Sequence, residues 1–252
     1  MWLSKARPGD TIAPPAIFHV THYKAGSQWI LKILTECVDR DRFVAPREGV
    51  AHFLGANLWP GAVYPTVYVT KEEFDAADLP PEWSRFVVIR DLRDTMVSLY
   101  FSLRYSHPEG FSSVGAMRPQ LEALDEREGL TLVMRRSVRR SAAIQRSWIE
   151  AGEHVIRYED LIDNDIEILE EALLSDERLE IDPGRLRKAI ERSRFRRMSG
   201  GRLRGEEDLS AHLRRGTPGE WRERLDDEQI AEFKELYGNI LIASGYERDL
   251  EW

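Results

Sequence analysis

A lysine set two residues before a glycine, between an apolar run and a helix-patterned run, is placed for anion chemistry. Ala16-Ile17-Phe18-His19-Val20-Thr21, preceded by Pro14-Pro15, reads as a buried strand. His22-Tyr23-Lys24-Ala25-Gly26-Ser27 follows, and Gln28 to Val38 carry apolar residues at helical spacing, with Ser27 expected as the N-cap. In such a unit the loop amides and the first helical N–H groups point at one spot, and the helix dipole favours negative charge there. Gly26 allows close backbone approach, and Lys24 supplies a cation that can reach a bridging oxygen. The pattern is not a Walker A loop, because the chain contains no Gly-Lys dipeptide. A plain turn with a solvated lysine stays open on this loop alone.

The elements that must position these residues recur along the chain. Phe86-Val87-Val88-Ile89 is a second apolar run, and Asp94 is expected to cap a helix carrying Met96, Val97, Leu99, Tyr100 and Leu103. Residues 39–81 read as loops with a short strand around Thr66-Val67-Tyr68-Val69, and residues 106–117 as a loop. A long helix is expected from about Leu130 to Ala151, then a strand at His154-Val155-Ile156-Arg157-Tyr158. Asp182-Pro183 opens a helix that should end near Gly200-Gly201. Asp226 with Gln229 forms a capping box for a last helix ending near Gly245. Strands alternating with helices predict an α/β fold, a central parallel sheet flanked by helices, in one domain spanning 1–252.

Composition narrows the function classes. The 252 residues carry a net charge of −8, which argues against non-specific nucleic-acid binding. Arginine outnumbers lysine 30 to 6, and its planar fork suits phosphates, sulfates and carboxylates. The lone Cys37 sits in an apolar helical pattern and is expected to pack as a small hydrophobe. No stretch reaches the length of a membrane span, and the first residues lack the apolar core of a signal peptide. A cytoplasmic protein without nucleic-acid or membrane partners is the expectation.

Thr21-His22-Tyr23-Lys24-Ala25-Gly26-Ser27-Gln28-Trp29 resembles the TYPKSGTTW loop of sulfotransferases that use 3′-phosphoadenosine 5′-phosphosulfate (PAPS). Further pieces arrive in that family's order. Val88-Ile89-Arg90-Asp91-Leu92-Arg93-Asp94-Thr95-Met96-Val97-Ser98-Leu99-Tyr100 resembles its VxRNPxDxxVSxY segment, with Arg90 and Ser98 on the 3′-phosphate positions. An Arg closing a strand and a Ser in the next helical turns can converge on one oxyanion. Arg157-Tyr158-Glu159-Asp160-Leu161 is similar to the YEDL stretch, whose Tyr lies near the adenine. Ser193-Arg194-Phe195-Arg196-Arg197-Met198 is similar to TSFxxM, and Leu213-Arg214-Arg215-Gly216-Thr217-Pro218-Gly219-Glu220-Trp221 to RKGxxGDW.

The resemblance, spanning roughly residues 17 to 245, implies a P-loop-like sulfotransferase fold. It implies PAPS as donor, the bisphosphate PAP as product, no required metal, and a small-molecule or carbohydrate acceptor. Lys24, Ala25, Gly26, Ser27, Gln28 and Trp29 would hold the donor, with Trp29 as an adenine platform. Arg90, Ser98, Arg214, Arg215 and Gly216 would take the 3′-phosphate, and Tyr158 and Phe195 would border the adenine. Lys24 would also serve catalysis.

An acceptor hydroxyl needs a base, which the family commonly supplies as a His about 22 residues before the Arg of the 3′-phosphate segment. Here that stretch reads Thr66-Val67-Tyr68-Val69-Thr70-Lys71, without one. His52, in the variable stretch between the phosphate segments, is the chosen base, with Glu48 and His107 as alternatives. The Arg-rich run 185–204 reads either as a solvated face or as a surface for acidic groups. Two other readings stay in view: a P-loop kinase or NTPase, and a non-catalytic nucleotide-binding module.

Overall fold

In the computed structural model, which describes residues 13–107 and 112–252, four parallel strands form one sheet in the order β2-β1-β3-β4. The strands are β1 (Ala16–Thr21), β2 (Val63–Val67), β3 (Trp83–Ile89) and β4 (Ile156–Arg157). The reading of residues 1–12 lies outside the described residues, as do residues 108–111 of the loop after His107.

Helix α1 (Ser27–Cys37) links β1 to β2, and α2 (Lys71–Asp75) links β2 to β3. Between β3 and β4 run α3 (Leu92–Phe101), α4 (Ser112–Glu122), α5 (Glu126–Arg136) and α6 (Val138–Glu150). After β4 come α7 (Tyr158–Asp163), α8 (Asp165–Leu174), α9 (Pro183–Arg192), α10 (Phe195–Met198), α11 (Trp221–Arg224) and α12 (Asp227–Ala243).

Period-two alternation divides the core between the faces of the sheet. Ile17 and Val88 face α1, α8 and α9 through Ile30, Ile33, Leu169, Leu186 and Ile190. Phe18, Val87 and Ile89 face the other way, onto Phe53, Phe74, Ile144 and Trp148. A third cluster joins α3, α5 and α12 through Met96, Tyr100, Val133, Phe233 and Leu241. Cys37 is buried in the first cluster, and burial pushes its thiol up to about 12, which keeps it protonated and inert.

Because all strands are parallel, Thr21, Val67, Ile89 and Arg157 end at one edge. The chain leaves β1 for β2 on one side, and leaves β3 for β4 on the other. The crevice between the ends of β1 and β3 is therefore a topological switch point, where open α/β sheets bind ligands. Lys24 and Arg90 follow those two strands.

Several boundaries differ from the expectations. The N-cap of α1 is Gly26, with φ +84°, and Ser27 is already helical. Asp91 rather than Asp94 caps α3, its side chain accepting the Arg93 amide. Residues 130–151 are not one helix: α5 ends at Arg136 and α6 restarts at Val138. Only Ile156 and Arg157 of the expected fourth strand pair with β3, and the chain is helical from Tyr158. The capping box of Asp226 and Gln229 forms as expected, as does the Pro183 start of α9.

Candidate active site

Two left-handed residues shape the β1–α1 loop: Lys24 at φ +66° and Gly26 at φ +84°. Lysine rarely adopts this conformation, so the fold holds Lys24 in a strained turn. Gly26 is required twice over. Its φ favours glycine, and a Cβ there would lie 2.8 Å from the Tyr158 ring. The Gly26 carbonyl accepts from Trp29 and Ile30 at 2.9 and 3.1 Å, which starts α1. No side chain caps that helix and no acid stands in its first turn. Its leading amides therefore face the loop as an anion site.

Arg90 crosses to this loop from β3. Its Nη1 donates to the Lys24 carbonyl at 2.9 Å, and its guanidinium lies 4.8 Å from the Tyr158 ring centroid. Arg90 Nε is buried with no hydrogen-bond partner among the described residues. Trp29 Nε1 is likewise unpartnered, and that indole meets Tyr158 edge-on at 6.4 Å. No carboxylate pairs with Lys24 or Arg90 among the described residues. Burial, then the charges of Arg90 and Arg214, lower the Lys24 ammonium to about 8. The result is a partly dried cluster of positive charge with unused donors, which fits a phosphate or sulfate group.

The remaining predicted nucleotide residues surround it unevenly. Ala25 is buried, Gln28 is exposed, and Ser27 Oγ accepts the Tyr68 hydroxyl at 2.9 Å. Ser98 is half-buried, the one residue of α3 that is not fully buried. Gly216, at φ +73°, carries the Phe195 ring so closely that a Cβ would lie 2.5 Å from it. Gln28 also lines a cavity of about 550 Å³ with Lys32, Met198, Arg202, His212 and Leu213.

Arg214 and Arg215 depart from the expected picture of free phosphate clamps. Arg214 pairs with Glu220 and Glu207 and stacks over Phe101 at 4.0 Å. Arg215 pairs with Glu223 at 2.8 Å. Glu220 is buried and takes all of Arg214, Arg215 and Arg224, which hold its carboxyl below the usual range against the opposing effect of burial. The sequence showed the arginines; the neutralising acids follow from how the 202–224 segment folds back on itself.

His52 is not placed to take a substrate proton. It is 4% exposed, its Nδ1 accepts the Arg47 amide at 3.1 Å, and its Nε2 lies 2.8 Å from the Thr66 carbonyl. Both ring nitrogens serve the backbone, and burial lowers the affinity of the ring for a proton. His22 is committed in the same way. Its Nε2 accepts the Arg90 amide at 3.1 Å, so its Nδ1–H donates to the Tyr23 carbonyl at 3.0 Å. Burial drives His22 down to about 4, leaving a neutral pin between the ends of β1 and β3.

His107 and His212 are both brought toward Lys24, and of the two His107 is the one the sequence marks as an alternative base. A π-helical turn, Ser102–Ser106, extends α3 and closes with the His107 amide donating to the Ser102 carbonyl at 2.8 Å. Burial, then the charges of Lys24 and Arg118, lower the pKa of His107. His212 also feels Lys24 and His107, so the three groups share one neighbourhood. Tyr68, which no motif had marked, meets Tyr23 at a tilt, ring centroids 4.6 Å apart, beside the loop, and burial pushes its phenol up to about 12. The 22-residue offset back from Arg90 could have marked this position.

Comparison with known proteins agrees with this fold. Over 96% of this chain and 88% of its own, a mouse sulfotransferase, SULT7A1, crystallised with PAP, superposes with a TM-score of 0.61 at 17% identity, a likeness of fold. A retinol dehydratase complexed with retinol and PAP aligns at 0.49 and 13% identity, over 92% of this chain and 82% of that one. No curated protein matches the sequence. A family model, the sulfotransferase domain, matches residues 85–245, well over half of the chain. The chain belongs to the sulfotransferase domain family.

Proposed function

We propose that this protein moves a sulfonate group from PAPS to a hydroxyl or amine of a small-molecule or carbohydrate acceptor, by in-line displacement. One observation carries the reading. At the β1/β3 switch point an uncapped helix start, Lys24 and the unpartnered Arg90 Nε converge, and among the described residues no carboxylate forms an ion pair with either cation, although Asp94, Glu159 and Asp91 act on Arg90 from further off.

The roles follow from charge and position. Lys24 and the α1 amides neutralise charge that grows on the leaving phosphate, which is worth most where water is partly excluded. Arg90 and Ser98 hold the 3′-phosphate, and the loop of Arg214, Arg215 and Gly216 closes on it once its arginines turn from their acids. Gly26, Trp29, Tyr158 and Phe195 form the walls for the adenosine. No step requires a metal, and the described residues contain no cluster of metal-ligating side chains. His107 replaces His52 as the base, since a neutral imidazole near Lys24 can accept the acceptor proton as the new S–O or S–N bond forms. We take residues 1–252 as one catalytic unit working in the cytoplasm; among the described residues no helix is long and apolar enough to cross a membrane.

The test is thermal stability with adenosine 3′,5′-bisphosphate beside ADP and ATP with Mg²⁺. Ligand at 100 times its dissociation constant adds about 2.7 kcal/mol, a shift of several degrees. Stabilisation by the bisphosphate alone, without metal, is expected. Stabilisation by ATP with Mg²⁺ alone would make the protein kinase-like and overturn the proposal.

A further inference from the structure

A buried cation held between two indoles ties the loop of Arg214, Arg215 and Gly216 to the start of α3. Arg93 is 1% exposed, and its guanidinium lies 3.9 Å from the Trp221 ring centroid and 4.2 Å from that of Trp252. The two indoles meet edge to face at 5.5 Å. Arg93 Nη2 donates to Asp91 at 2.7 Å and Nη1 to Glu247 at 2.6 Å, so its charge is fully matched. Asp94, 2% exposed, accepts the amides of Gly219 and Trp221, the latter at 3.2 Å.

This arrangement links two pieces of one candidate pocket. Arg93 and Asp94 lie three and four residues after Arg90, on the turn that follows β3. Gly219 and Trp221 lie three and five residues after Gly216. The turn that sets Arg90 therefore also sets the 214–216 loop. Trp252 closes the stack from the segment after α12. That segment is itself seated: Leu250 packs on Gly238, where a Cβ would lie 2.5 Å from it, and Lys234 Nζ lies 4.8 Å over the Trp252 ring. An arginine between two aromatic faces in a dry site is held far more firmly than one in water.

We propose that Trp252, packed against Arg93 and edge to face with Trp221, is a positioning residue for the 214–216 loop and so sets affinity for the 3′-phosphate of the donor. The proposal rests on the donor reading given above. Its effect belongs to binding rather than to transfer, because the stack touches neither Lys24 nor His107.

Calorimetry on the full chain separates the possibilities, using adenosine 3′,5′-bisphosphate and adenosine 5′-monophosphate as probes. In Trp252→Ala the bisphosphate Kd should rise about tenfold, the size expected for loosening one charge-assisted contact. The monophosphate Kd and the kcat at saturating donor should stay near wild type. Trp252→Phe should restore bisphosphate affinity, and Trp252→Leu, which keeps bulk without a π face, should not. An unchanged bisphosphate Kd in folded Trp252→Ala or Trp252→Leu would overturn the proposal, as would equal weakening of both nucleotides. A wild-type protein that binds no bisphosphate would overturn the donor reading, and this proposal with it.

Discussion

Positive charge is handled in opposite ways on the two sides of the cleft. Between β1 and β3, Lys24 and Arg90 have no ion-pair partner among the described residues, and Arg90 Nε is buried without an acceptor. On the 202–224 side, Arg214, Arg215 and Arg224 share the buried carboxylate of Glu220 and reach Glu207, Glu223 and Glu126 as well. Unpaired buried charge is costly unless a ligand satisfies it, whereas paired charge is structure. The first side is built to receive an anion. The second is a scaffold whose arginines must loosen from acids before they can touch one.

Substitutions can break this contrast. Lys24→Ala should lower kcat by about 10²- to 10³-fold, the loss typical of removing one donor to a developing oxyanion. It should also weaken bisphosphate binding by about tenfold, less than the loss in rate, so rate and Kd measured together check the role. Arg90→Gln should raise the bisphosphate Kd by about 10- to 100-fold, as loss of a charge-assisted contact does. Steady-state kinetics should show that loss mainly in the donor KM. Glu220→Gln acts on the scaffold side and should cost about 3 kcal/mol of stability, since it leaves three arginines around a neutral amide in a buried site. Chemical denaturation would measure it.

The smallest change sharpens the comparison instead. Glu223→Gln releases one exposed partner of Arg215 and should tighten bisphosphate binding about threefold, read by calorimetry. Weaker binding would mean that Arg215 needs its acid in order to be placed.

Much of the architecture was legible because it rests on local pattern. The apolar runs of β1 and β3, the Pro183 start of α9 and the capping box of α12 are decided by neighbours within a few residues. The positions of Lys24 and Gly26 were legible from strand, loop and helix order, and that of Arg90 from the resemblance of residues 88–100 to a sulfotransferase segment. What failed depended on distant partners. Asp94 reads as a helix cap, yet Asp91 caps α3 and Asp94 spends its oxygens on amides of Gly219 and Trp221, 125 and 127 residues away. His52 reads as a base because histidines in variable stretches can be, but Arg47 and the Thr66 carbonyl occupy both of its nitrogens. The break at Ser137, between α5 and α6, carries no Gly or Pro that would have marked it.

The central claim is that the Lys24–Arg90 cluster, which forms no ion pair among the described residues, receives the anion. Its most direct test is a calorimetric titration of adenosine 3′,5′-bisphosphate into wild type and Lys24→Gln from pH 7 to pH 9.5. Lys24 binds as the ammonium and is lowered to about 8, so wild-type affinity should fall as pH rises through that value. In Lys24→Gln that slope should vanish. A wild-type affinity that is flat across the range, or one that falls equally in both proteins, would contradict the account.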